Sequence, residues 1–188
     1  MKSMEDQGDR LNRLRERRAH AQALRDQERL RETYGERLVA AVAAATGRVL
    51  SLDDFDRGVE EPLPFCWPKD IVDAIGLVAP YISRFEADEL LSCVRGRLGT
   101  LSGSLGFHEK PYLGIARLDG TDPGSLLLVA ESTEDSVVFY SDDPTGVIMV
   151  DCYPSQPGGP FSIVVQGERL VRELTDCFPA NSHRIASR

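Results

Sequence analysis

Nowhere does this sequence hold the run of about eighteen apolar residues that a membrane-spanning helix requires. Its first residues, MKSMEDQGDRLNRLRERR, lack the apolar centre of a secretion signal. A helical membrane span is therefore excluded, and the cytoplasm is the expected compartment. Histidine is also scarce, with only His20, His108 and His183. A histidine-based catalytic centre would have to use His108. The pair His108-Glu109 opens like an HExxH zinc helix, but Tyr112 stands in the second histidine's place and Pro111 breaks the helix. The four cysteines, Cys66, Cys93, Cys152 and Cys177, form no CxxC pair and no dense disulfide pattern, so all four are expected as reduced, mostly buried thiols. The glycines make neither a phosphate-binding loop nor a dinucleotide fingerprint, and LSGSLG at 101–106 lacks the G-x-S-x-G elbow of a serine hydrolase. No metal, cofactor or catalytic residue is expected.

What is present reads as an ordinary globular chain. Of its 188 residues, 41% are hydrophobic and 28% charged, which is enough apolar material for one core. The charge is unevenly placed. Residues 1–47 carry ten basic against eight acidic side chains, and residues 48–188 carry twelve against 22. Such an acidic body repels phosphate backbones, which argues against nucleic acid as a partner and for a basic protein.

The expected organisation is a helical extension over 1–47, an α+β domain over 48–178 and a flexible tail over 179–188. The extension is a long polar helix with no proline, interrupted at Gly35 and ended at Gly47; Leu38, Val39 and Val42 then share a buried face. Ser51-x-x-Asp54 caps a short turn, and the prolines at 62, 64 and 68 hold a loop that contains Cys66 and Trp67. Pro68 opens a predicted helix through Ile82, with Ile71, Ile75 and Val78 on one side. Ser83 and Glu86 form a capping box for another, which stops near Gly99. After a loop come five apolar runs, at 112–118, 125–131, 136–142, 146–153 and 161–167. Their connectors are too short for helical crossovers, which predicts a five-stranded antiparallel meander. A C-terminal helix over 168–178 sets Leu170, Val171, Leu174 and Phe178 in one stripe.

The stretch DDPTGVIMVDCYPSQPGGPF, 142–161, concentrates carboxylates and prolines. Asp143-Pro144-Thr145-Gly146 fits a type I turn, which puts Asp142 and Asp151 at opposite ends of a hairpin and too far apart to share a metal. The loop that follows presents Gln156 on a rigid proline-rich backbone. On the extension, Arg10, Arg13 and Arg17 line one helical face, without the aromatic residues that stack on single-stranded bases.

The function that follows is a non-enzymatic protein-binding module of the bacterial immunity-protein or chaperone type. Its candidate partner-binding residues are Asp142, Asp143, Asp151, Gln156, Arg10, Arg13 and Arg17. Two alternatives stand beside it. One is an oligomeric assembly protein that docks through its N-terminal helix. The other is an enzyme whose site, built from Asp151, His108 and Glu109, assembles only in three dimensions.

Overall fold

The computed structural model describes residues 4–56, 76–155, 159–178 and 183–185, with the backbone alone for 4–12 and 183–185. It opens with α1 (Met4–Thr46), a single uninterrupted helix. Gly35 does not break it. The glycine is buried where α1 crosses the turn Leu52–Asp54, and a Cβ there would stand 2.6 Å from Leu52 Cδ2, so the missing side chain lets the two segments meet. The Ser51–Asp54 capping box forms as expected.

Next come the short strand β1 (Phe55–Asp56), β2 (Gly76–Ile82), α2 (Arg84–Leu98), β3 (Leu101–Phe107) and β4 (Ile115–Thr121). The chain continues through α3 (Pro123–Thr133), β5 (Val137–Asp142), β6 (Thr145–Cys152), β7 (Phe161–Gln166), α4 (Glu168–Leu174) and the edge strand β8 (His183–Ile185). The architecture is α+β with every strand pair antiparallel. Instead of a five-stranded meander, the described residues form an eight-stranded sheet in the order β1-β4-β3-β5-β6-β7-β2-β8. Only β5, β6 and β7 run as a simple meander.

Four local expectations give way. The run at 125–131 is helix α3, because Asp122 caps it by accepting from Gly124 N and Pro123 takes the first helical position. Its continuous apolar stretch suits a buried helix as well as a buried strand. Conversely, Gly76–Ile82 is a strand paired on both sides, with β7 and β8, so inter-strand bonding overrides the helical spacing; residues 68–75 lie outside the described ones. LSGSLGF, expected as a loop, is β3, with Leu101, Leu105 and Phe107 pointing into the core. The 142–145 turn has Asp142 opposite Thr145 and a cis Asp143–Pro144 peptide, so it is the cis-proline turn class and not type I. Around this turn the hairpin pairs Val138 with Met149 and Tyr140 with Val147.

The cysteine expectation is corrected too. Cys93 of α2 and Cys177, in the turn after α4, form a disulfide with a Cα–Cα distance of 5.6 Å. Cys152 is a buried free thiol, and Cys66 lies outside the described residues.

The four described helices cover one face of the sheet. Their buried side chains, among them Val42, Leu91, Leu127 and Leu170, join Phe139, Ile148 and Val165 in the main core. Each such residue contributes about 1.5–3 kcal/mol when fully buried, several times a surface ion pair, so this layer holds the helices in place. The opposite face carries a smaller buried cluster made by strands, including Val78, Tyr140, Met149 and Val164. Within the stretch expected as a tail, the backbone of His183–Ile185 pairs with β2.

Candidate functional site

Polar helices gain little from a protein core, and α1 shows where that limit falls. Its inner half is anchored by Leu38, Val39 and Val42 and by Arg31. The Arg31 guanidinium donates to the carbonyls of Leu113, Leu52 (2.5 Å) and Phe55 (2.9 Å), fastening the helix to the body at one point. Beyond that anchor, residues 13–25 are exposed without exception. This arm holds Arg13, Arg15, Arg17, Arg18 and Arg25 against Glu16 alone. Among the described residues, Arg13, Arg15, Arg17 and Arg18 form no ion pair. Helical spacing sets Leu14, Ala21 and Leu24 on a common face with Arg17, Arg18 and Arg25. Leu14 is 44% exposed and Leu24 is 52% exposed, so the face is apolar, basic and uncovered.

The acidic hairpin is less available than its sequence suggests. Asp142 pairs with Arg117 at 2.5 Å and Asp143 with Arg169 at 2.7 Å, so each carboxylate has an internal cation. Asp151 lies at the far end of β6, is only 1% exposed and is not a surface residue. Gln156 lies outside the described residues, as does the side chain of Arg10. The structure thus places Asp142 with Asp143 at one hairpin tip and Arg13 with Arg17 on the arm, and buries Asp151 apart from both.

Asp151 does share its end of the sheet with His108 and Glu109, the two residues that follow β3. Its Oδ1 has no hydrogen-bond partner among the described residues, and neither has the buried Ser136 Oγ beside it. Burial pushes the Asp151 carboxyl up to about 6. The Ser136 hydroxyl stands near enough to oppose that rise without closing a bond of good geometry; His108 also opposes it, while Glu109 and Asp135 add to it. Over this group lies Tyr153, whose hydroxyl donates to Glu109 Oε1 at 3.1 Å. Next to it Asp135, fully buried, accepts from Lys110 Nζ at 2.6 Å and from Ser136 N at 2.7 Å. No set of three potential ligands is placed to hold a metal among the described residues.

Two clefts open beside the helices. One, of about 340 Å³, lies between α1 and the end of α3, where Tyr34, Arg37 and Tyr112 face Lys110. The other, of about 390 Å³, opens between β2, the first turns of α2 and residues 176–178. Ala79, Ile82, Leu90 and Phe178 give it an apolar floor, and Glu86, Glu89 and Asp176 supply carboxylates. Glu86 is held charged by the Ser83 hydroxyl, which lowers its pKa, while Asp176 is ion-paired with Arg97 at 2.9 Å. Glu89 has no ion-pair partner among the described residues. Tyr81 and Phe85, chain neighbours of Ile82 and Glu86, are 53% and 69% exposed. Tyr81 sits at φ 54°, a left-handed conformation that costs a bulky residue about 1–3 kcal/mol. The register jump in β2 between Ala79 and Ile82 imposes it and turns an aromatic ring out to water.

Sequence reasoning found the arm and missed this groove. Its acids are spread over α2 and the turn after α4, and nothing in PYIS announces an outward tyrosine. Among the described residues no helix is long and apolar enough to cross a membrane. No protein-family model, curated protein or solved structure matches the chain.

Proposed function

We propose that this chain is a non-enzymatic protein-binding module whose principal contact element is the basic arm of α1. One observation carries the reading: residues 13–25, about three and a half turns of helix beyond the Arg31 anchor, have every side chain in water. Isolated helices of roughly this length are marginal in water, and this one has only local support such as Gln22 to Asp26 at 3.2 Å. A partner surface is what such an element lacks. Five arginines with two exposed leucines favour an acidic surface with an apolar centre, where guanidinium groups make paired bonds to carboxylates.

The test is affinity capture from the native extract with the full chain and with Arg13→Glu/Arg17→Glu. A stoichiometric complex formed by the parent and lost in the variant supports the reading. Absence of any stoichiometric complex, including one with itself, overturns it.

A second reading has one observation in its favour: His108, Glu109 and Asp151 do converge at one end of the sheet, with Tyr153 over them. Under it these groups would serve proton transfer on a small substrate. Loss of a measured turnover in both Asp151→Asn and His108→Gln, with folding intact, would move the assignment there.

A further inference from the structure

We infer that the groove between β2, α2 and residues 176–178 receives the α1 arm of a second copy of this chain, so that two molecules associate by exchanging arms. The inference rests on the proposed role of the arm and names its partner.

The two surfaces match in kind. The arm offers Leu14 and Leu24 in line with Arg17, Arg18 and Arg25, all exposed. The groove offers an apolar floor, Ile82 and Phe178 among it, with the carboxylate of Glu89, which has no ion-pair partner among the described residues, beside Glu86 in its capping box and Asp176 paired with Arg97. Tyr81 and Phe85, next in the chain to Ile82 and Glu86, are exposed aromatic residues of the kind on which guanidinium groups stack. Leu14 seated on such a floor directs Arg17 and Arg18, three and four positions on, toward its carboxylates. Charge favours the encounter over a longer range, since the arm is basic and residues 48–188 carry ten more acidic than basic side chains.

The arm cannot fill its own groove. α1 is one uninterrupted helix that packs against α3 and the turns at 52–54 and 111–113, and reaching back would require breaking it. A second copy meets no such obstacle. Reciprocal exchange satisfies both arms and both grooves, giving a closed two-fold dimer rather than an open chain of molecules.

Sedimentation velocity on the full chain, from low micromolar to roughly 100 µM, tests this. The expected result is a monomer–dimer equilibrium weakened by added salt. Arg17→Glu/Arg18→Glu and Glu89→Arg should each weaken it roughly tenfold or more, and combining them should restore it toward the parental value, since the opposed charges are exchanged. Far-UV circular dichroism checks that each variant folds, and Glu89→Ala replaces Glu89→Arg if the latter does not. A monomer throughout the range, or a dimer indifferent to both reversals, overturns the inference. If the chain stays monomeric yet captures a different protein through its arm, the binding role stands and self-association falls.

Discussion

Asp151 of β6 sits directly across the ladder from Ser162 of β7, with its carboxylate closed to solvent and one oxygen unpartnered. The folded chain therefore holds this group's proton more tightly than the unfolded chain does.

The sign follows from the raised value, about 6 against an ordinary 3.8. Asp151's contribution to stability is full below about 4 and is lost as pH rises through about 6, an effect of about 3 kcal/mol at most. Asp151→Asn keeps the shape and removes the charge. It should stabilise the fold at pH 8 by about 1–3 kcal/mol and much less at pH 4. Urea denaturation at the two pH values measures this, and a variant no more stable than the parent at pH 8 would show that the carboxylate is compensated.

Arg31→Ala should destabilise the chain by about 2–3 kcal/mol, since three carbonyls lose a charged donor at once. Arg31→Lys should recover little, because one ammonium does not reproduce the fork that spans Leu113, Leu52 and Phe55. Arg15→Ala, on the exposed arm, is the control and should fall within about 0.5 kcal/mol of the parent. Equal effects at 31 and 15 would contradict the anchor.

Two glycine substitutions should move stability in opposite directions. At Gly103 in β3 a Cβ would stand 2.0 Å from the Tyr140 carbonyl oxygen, so Gly103→Ala must push β3 away from β5 and should cost about 3 kcal/mol or more. At Gly96, inside α2, nothing lies within 4 Å of the added carbon. Gly96→Ala should gain up to about 1 kcal/mol from helix propensity. Thermal melts of the pair settle both.

Replacing Cys93 and Cys177 by alanine removes a link across 84 residues and should cost about 2–5 kcal/mol. A reducing agent should lower the parent's melting temperature and leave that of the double variant unchanged. A parent unaffected by reductant would mean that the link does not form in solution.

The sequence disclosed those elements whose signals are local. Ser83 and Glu86 begin α2 as their spacing requires, Gly99 ends it with φ 73°, and Leu170, Val171 and Leu174 bury the stripe they form. It was misleading where partners distant in the chain decide the outcome. LSGSLGF reads as a loop because serine and glycine alternate with its apolar residues, yet β4 and β5 hold it from both sides. The Asp122-Pro123 pair was a usable helix-start signal that the following leucine run obscured. For the site, the arginines of the arm were legible because an exposed polar helix shows its composition plainly. The burial of Asp151 was not, since it depends on the neighbours that β6 acquires, and the groove depends on β2, α2 and residues 176–178, which are distant in the chain, coming together.

That placement of β2 also bears on how the chain folds during synthesis. β2 lies between β7 and β8, whose paired residues follow it by about 80 to 110 positions. A growing chain must carry Gly76–Ile82 with both backbone edges open until almost all of the sequence has left the ribosome. Closure over such a distance is the kind that slows folding, and until it happens Gly76–Ile82 is an open-edged apolar strand that a chaperone can hold.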